Sequence, residues 1–312
     1  MSEETTPVAP EKLSNLVWKV RAPNPSPMTL DGTNSYLVGR GDELVAIDPG
    51  PKMENHINNI ANVAKSLNAV IKLILVTHGH PDHFPGAAML KELTGAPVAA
   101  YEEAHFPHDI KLVDGQKIWA AGVTFHAIFT PGHAVDHLCF YLEDEKALFT
   151  GDNILGIGTT IVAPPKGDMI KYLNSLRLLQ TDWHEAEVIY GGHGPAISNP
   201  PAKIQEYLDH RAKRENMSIA ALQAGAQTIP QVVEKIYQDV DKRLWPAAAR
   251  QVLAIFNKLE AEGSLISREG APPTPEEDAI LNPEGIVDPV AVAELGITTE
   301  KDNKLKFYTL VS

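Results

Sequence analysis

The stretch Val76-Thr77-His78-Gly79-His80-Pro81-Asp82-His83 decides how this chain is read. It follows an aliphatic run, Leu73 to Thr77, that reads as a buried strand, and it precedes a helical pattern from Ala87 to Thr94 closed by Gly95. Four potential ligands fall between positions 78 and 83, and Gly79 and Pro81 turn the chain between them. His78 and His80, two apart in extended backbone, point at one metal; Asp82 and His83 lie past the Pro81 turn and point at another. Three more candidates sit on turns after strands: His133 in Thr130-Pro131-Gly132-His133, Asp152 in Thr150-Gly151-Asp152, and His193 in Gly191-Gly192-His193-Gly194. Five imidazoles and two carboxylates suit a centre of two divalent ions, zinc first, with manganese or iron as the other choices.

Around these turns the chain alternates short aliphatic runs with helical stretches. Strands are expected at Tyr36 to Val38, Leu44 to Ile47, Leu73 to Thr77, Val98 to Ala100, Val123 to Phe129, Leu138 to Leu142, Ala147 to Thr150 and Val188 to Tyr190. Helices are expected at Met53 to Leu67, Ala87 to Thr94 and Met169 to Leu179. The strands are too short and too closely spaced for a doubly wound parallel sheet. An α/β fold with two packed sheets flanked by helices fits better.

Beyond Pro200 and Pro201 the pattern turns helical. Ile204, Tyr207 and Leu208 begin an amphipathic helix with His210, Arg211, Lys213 and Arg214 on its polar side, and a second helix starts at Thr228 with Pro230 in its first turn. A third is opened by Pro246, buries Val252, Ile255, Phe256 and Leu259, and is closed by Gly263. With strands at Leu265 to Ser267 and Lys304 to Val311, this reads as a winged-helix-like module, residues 201–312, behind a catalytic domain of residues 1–200. The acidic, Pro-rich stretch from Glu269 to Asn303 reads as a loop inserted in the wing.

The 312 residues carry a net charge of −13, which disfavours indiscriminate binding to polyanions; only the stretch 201–258 is locally basic. Cys139 is the sole cysteine, which excludes an internal disulfide framework and a cysteine-based zinc knuckle, and its strand position makes it a core residue. No apolar run is long enough to span a bilayer, and Glu3, Glu4 and Glu11 sit where a signal peptide would be apolar. A cytoplasmic protein without membrane contact is expected.

The ordered motifs identify residues 33–194 as similar to the metallo-β-lactamase superfamily, whose signature is a His-x-His-x-Asp-His loop followed by His, Asp and His on separate strand ends. The resemblance implies an αββα sandwich in which His78, His80 and His133 hold one metal, Asp82, His83 and His193 the other, and Asp152 bridges. It implies that Asp48, in Ile47-Asp48-Pro49-Gly50, orients ligands by hydrogen bonding, and that His137, in Pro131-Gly132-His133-Ala134-Val135-Asp136-His137, supports the ligands or faces substrate. Two ions about 3.5 to 4 Å apart supply a bridging hydroxide at neutral pH and polarise the scissile group. Asp82 is the expected catalytic carboxylate, accepting the attacking proton, with His137 a candidate donor to the leaving group. His56, His105, His108, His126 and His184 are expected to be structural or exposed.

Zinc β-lactamases of the best-known kind have cysteine where this chain has Asp152. The runs Gly151 to Thr160, Tyr172 to Leu176 and Gly192 to Glu215 resemble instead the β-lactamase-like endoribonucleases that carry a C-terminal winged-helix-like domain. That resemblance implies a phosphodiesterase acting on single-stranded RNA, promiscuous in bond type, with Lys203, Arg211 and Arg214 on phosphates and Thr159 and Thr160 in a substrate loop. The overall acidity and the lack of an aromatic cluster for base stacking stand against it. The alternative is a thioesterase or lactonase of the glyoxalase II-like kind, acting on a small acyl or thioester substrate, with weak β-lactamase activity. A DNA-reading winged helix with a relic metal site is disfavoured by the intact ligand set. A homodimer is compatible with either enzyme.

Overall fold

A computed structural model describes residues 9–281 and 304–311. Those up to Thr160, together with Ser175–Gln205, form one compact unit; Ile161–Asn174 and the residues from Glu206 onward form another. The first unit is built on two sheets. One has seven strands in sequence order: β1 (Glu11–Lys12), β2 (Val17–Arg21), β3 (Asn34–Val38), β4 (Glu43–Ile47), β5 (Val70–Leu75), β6 (Val98–Tyr101) and β7 (Ile110–Leu112). The other has β8 (Lys117–Ala120), β9 (Val123–Phe129), β10 (Leu138–Leu142), β11 (Ala147–Gly151) and β12 (Val188–Gly191), ordered β12-β11-β10-β9-β8. Helices α1 (Glu54–Ser66) and α2 (Gly86–Thr94) cross between β4, β5 and β6, which run parallel.

Alternation along each strand builds the layers. Val45 and Ile47 of β4 join Phe125, Phe140 and Phe149 of the facing sheet in one apolar core. Leu44 and Ala46 turn the other way and pack with Ile57, Ile60 and Leu90 of the helices. In β5 the register slips: Leu44 pairs with Ile71 but Val45 with Leu73. The extra residue, Lys72, lets Ile71 and Leu73 face opposite layers although they are two apart. The outer face of the five-stranded sheet is covered at Tyr141 and His126 by Trp183, whose ring centroid lies 4.8 Å and 5.3 Å from theirs. His126 also meets Glu143 at 3.0 Å, and His56 is buried against Ser35 Oγ at 2.9 Å. The short strands β1, β2, β7 and β8 go beyond those expected from sequence, because each is too short or too polar to stand out from a turn.

The second unit contains most of α4 (Pro200–Gln223), α5 (Ile229–Ile236), α6 (Trp245–Ala261), β13 (Leu265–Glu269), α7 (Pro275–Leu281) and β14 (Lys306–Leu310). A further helix, α3 (Met169–Asp182), is shared between the two units in sequence. Thr228 caps α5 and Pro230 lies in its first turn, as its sequence predicts. The wing pairs β13 with β14 antiparallel, Ser267 opposite Tyr308, and Tyr308 packs on Phe256 of α6 at 4.5 Å between centroids. The described part of the acidic insertion begins as a loop over residues 270–274 and then turns helical. Thr274 and Glu277 form a reciprocal cap, Glu277 N–H to Thr274 Oγ1 and Thr274 N–H to Glu277 Oε2, that starts α7. The buried Glu277 also accepts from Thr228 Oγ1 and Gln231 Nε2, tying α7 to the start of α5. Residues 282–303, the rest of that expected loop, lie outside the described residues. Among the described residues no helix is long and apolar enough to cross a membrane.

Candidate metal centre

Seven side chains converge from four strand ends into two adjoining groups. His78, His80, His133 and Asp152 make one, and Asp82, His83, Asp152 and His193 the other; within each, ligand atoms lie within 4.8 Å of one another. Asp152 belongs to both. In the first, His80 Nδ1 lies 3.0 Å from His78 Nε2 and 2.9 Å from His133 Nε2. In the second, His193 Nε2 lies 3.2 Å from Asp82 Oδ2 and 3.4 Å from Asp152 Oδ1, and His83 Nε2 lies 3.4 Å and 3.3 Å from the same oxygens.

The surrounding hydrogen bonds fix which nitrogen faces inward. Asp48 Oδ2 accepts from Thr77 Oγ1–H at 2.7 Å and from His83 Nδ1–H at 2.8 Å, while its Oδ1 accepts from the Thr77 amide at 2.8 Å. With its own proton given to Asp48, the Thr77 hydroxyl accepts from His78 Nδ1–H at 3.0 Å. His193 Nδ1–H donates to the Gly32 carbonyl at 3.2 Å. Each ring thus turns an Nε2 lone pair into the cluster. His83 Nε2, His193 Nε2 and Asp152 Oδ1 are buried without any hydrogen-bond partner. Orphaned donor atoms of this kind, gathered on one point, are what a divalent cation satisfies, so the residues fit a two-ion centre.

The electrostatics of the two groups differ. Burial, reinforced by His83 and its other neighbours, pushes His78 well below the usual histidine range, and burial with His133 pushes His80 down to about 4. Burial also opposes charge on His83 and His193, but Asp152 and Asp82 outweigh it, holding His83 well above its ordinary value and His193 up at about 9. Asp82 and Asp152 are held low despite burial, by His83 and His193. A cation entering the carboxylate-rich group therefore competes with protons.

Strand β3 and the loop before it cradle this second group. Thr33 Oγ1 donates to Asp82 Oδ2 at 3.4 Å and accepts from Asn24 Nδ2 at 3.0 Å. Asn34 Nδ2 donates to the carbonyls of Gly191 and Gly194, and Tyr36 Oη to Gly191, clamping the turn that carries His193. Sequence reasoning missed Asn24, Thr33 and Asn34. Their one signal is a run of polar residues entering a strand that is otherwise aliphatic. Gly192 approaches the ligands so closely that a methyl group there would overlap Asp152 Oδ1 and His83 Cε1.

Other expected site residues fall elsewhere. His137 is fully buried, stacked on His78 at 5.0 Å with its Nδ1 bonded to Thr130 Oγ1 at 2.9 Å and its Nε2 without a hydrogen-bond partner. Thr160 is 1% exposed and donates to the carbonyls of Asp152 and Asn153, bracing the ligand loop instead of lining it, while Thr159 beside it is half-buried. Arg211 is 5% exposed, its guanidinium over Tyr172 and bonded to Gln251, and Arg214 lies over Tyr237 and donates to the Ile236 carbonyl. Both serve packing inside the helical unit, which amphipathic cationic side chains do readily. Lys203 is half-buried in the first turn of α4.

Comparison with known proteins agrees with this geometry. Residues 28–193 match the metallo-beta-lactamase superfamily and residues 228–271 the beta-lactamase associated winged helix domain. An atrochrysone carboxyl ACP thioesterase of Aspergillus chevalieri is 36% identical over 78% of this chain and 81% of its own length. A beta-lactamase-like protein 2 homolog of Caenorhabditis elegans is 35% identical over 81% of this chain and 87% of its own. A beta-lactamase domain protein from Burkholderia ambifaria superposes with a TM-score of 0.75 over 99% of this chain and 96% of its own, at 18% identity, which speaks for the fold. With its sandwich, its paired His/Asp groups able to hold two metal ions and its winged helix domain, the chain belongs to the metallo-beta-lactamase superfamily of hydrolases.

Proposed function

We propose that this protein is a two-zinc hydrolase of acyl thioesters. The observation that carries the reading is the charge of the ligand loops. Residues 22–33, 78–85, 130–137, 152–160 and 191–200 hold no lysine or arginine, whereas they hold Asp31, Asp82, Asp136 and Asp152. A loop set without cations gives a polyphosphate strand nothing to track. Chemistry at the leaving group points the same way. A thiol has a pKa of about 8.5 and leaves near neutrality without an acid, whereas an amine or alkoxide needs a proton donor. His137, the extra imidazole beside the ligands, is buried against His78 with its Nδ1 on Thr130 Oγ1, where it serves the ligands and not a leaving group in this reading.

When bound, the ions would activate water and polarise the thioester carbonyl. His78, His80 and His133 with Asp152 would hold one, and Asp82, His83 and His193 with Asp152 the other; nitrogen and oxygen donors of this mix favour zinc. Asp82, kept ionised beside His83 and His193, has acceptor capacity beyond the Thr33 hydroxyl with which to orient the attacking water and take its proton. Asp48, through Thr77 and His83, keeps two ligand rings turned inward. The thioesterase among the relatives supports the choice of substrate. The lone, buried Cys139 suits a reducing, cytoplasmic setting.

The basic stretch 201–258 is the feature that keeps single-stranded RNA in contention. One zinc-loaded preparation assayed against an acyl thioester, a lactone, a cephalosporin and single-stranded RNA separates the readings. Chelator-sensitive thioester turnover with intact RNA is the expected result. Cleaved RNA with an untouched thioester would overturn the proposal.

A further inference from the structure

Three large apolar side chains stand exposed on the loops that carry or anchor the ligands. Met28 is 55% exposed, Val135 43% and Ile157 57%. Val135 lies two residues after His133. Ile157 follows Gly156, whose amide donates to the His193 carbonyl at 2.9 Å, and the Ile157 amide itself passes beside Gly194. Met28 tips the loop between β2 and β3, which a Ser26–Leu30 bridge narrows. That loop is pinned to the centre by the Gly32 carbonyl on His193 and the Thr33 hydroxyl on Asp82. The loop's nearest cation, Arg21, is occupied by Asp31.

Exposed apolar groups cost hydration that a folded chain ordinarily avoids when they gather in one place, and such gatherings mark binding surfaces. Here three separate loops, each carrying a ligand or bonded to one, present one exposed apolar group apiece, and these loops are otherwise acidic or neutral. From this placement we infer that Met28, Val135 and Ile157 form an apolar rim that grips the hydrocarbon body of the acyl group, making the enzyme selective for long or bulky uncharged acyl thioesters over acetyl ones. The inference rests on the thioesterase reading and adds the substrate class to it. The carrier or thiol half of the substrate then extends away from the rim, since the scissile carbonyl must lie between the acyl body and the sulfur.

The test is a series of straight-chain acyl thioesters of one thiol, from acetyl to decanoyl, measured as kcat/KM with zinc-loaded protein. The parent should gain at each added methylene until the rim is filled, by at most about fourfold, the value for complete burial of a CH2 group. Met28→Asn with Ile157→Asn should cut that gain to less than about twofold per methylene, the loss appearing mainly in KM because the rim holds ground and transition states alike. Met28→Leu with Ile157→Val should restore most of it. Trp119→Ser removes the most exposed large apolar side chain among the described residues, 78% exposed on β8 and outside these loops, and should leave the chain-length dependence as in the parent. Metal content and melting temperature, read on every variant, separate a lost rim from a lost fold. Turnover that is flat with chain length in the parent, or a double asparagine variant with the parent's dependence, would overturn the rim alone. No turnover of any thioester would overturn the thioesterase reading and the rim with it.

Discussion

Replacing Asp48 by asparagine changes one atom at the point where the metal loop is oriented, and the structure makes the outcome specific. Asp48 has φ of +47°, a left-handed conformation that asparagine tolerates, so the substitution adds no backbone strain. The Thr77 amide still finds an acceptor in the remaining oxygen. The new amide nitrogen, however, faces Thr77 Oγ1 and His83 Nδ1, both of which donate to the wild-type carboxylate at 2.7 Å and 2.8 Å. A donor meeting two donors forces His83 to carry its proton on Nε2, the atom aimed into the carboxylate-rich group. Two buried hydrogen bonds are disrupted, at roughly 1–3 kcal/mol for each group left unsatisfied. Loss of an outer hydrogen-bond partner lowers metal affinity by about 10–100-fold, and here the ligand's tautomer is lost as well, so the upper end applies. Competition with a chromogenic chelator measures the affinity, and metal analysis after dialysis the stoichiometry. Expected is one tightly held ion per chain in place of two, with turnover falling in step. An Asp48→Asn protein that binds two ions with parental affinity would refute the tautomer argument.

Gly192→Ala should disturb the same group from the opposite side, because its methyl would overlap Asp152 Oδ1 and His83 Cε1; zinc content should fall while the circular dichroism spectrum of the fold persists. Asp152→Ala removes the carboxylate common to both groups and should cost more activity than the ~10–100-fold typical of losing an outer partner. His126→Ala, which breaks contacts to Glu143, Tyr141 and Trp183 and none to a ligand, should retain the parent's metals and rate. His56 gives a pH signature: burial pushes it down to about 4, so the unfolded chain takes up a proton below about pH 6.5 that the folded one refuses. Stability is then full above pH 6.5 and falls as pH drops toward 4, by roughly 3 kcal/mol for this residue. His56→Gln, melted beside the parent in chelator, should show a shallower acid decline; parallel declines would contradict it.

The metal centre was legible because its residues are rare, local and ordered. Five of the seven ligands are imidazoles, and His78 to His83 span a single loop, so spacing alone groups them. The cradle was not legible. Asn24, Thr33 and Asn34 act through hydrogen bonds to residues far along the chain, and a threonine or asparagine carries no pattern that reveals such a partner. Polar residues on an amphipathic helix read as exposed, yet Arg211 and Arg214 lay their stems and guanidinium planes on Tyr172 and Tyr237. In the acidic insertion the Thr274-x-x-Glu277 cap was present in the sequence. Its prolines and acids outweighed it, because composition says nothing about the buried acceptor that Glu277 supplies to α5.

His193 differs from His78 and His83 in being held by a main-chain oxygen, that of Gly32, and not by a side chain. A carbonyl cannot be mutated away while the backbone keeps its path. Between Asn24 and Thr33, whose side chains do the anchoring, Thr29 braces the loop through its hydroxyl on the Asn24 carbonyl and its carbonyl on the Gly32 amide, while the exposed Pro25, Pro27 and Met28 take no part in metal retention. Evolution, or a library randomised over those positions, is free to exchange what the loop presents to substrate without first repairing the catalyst.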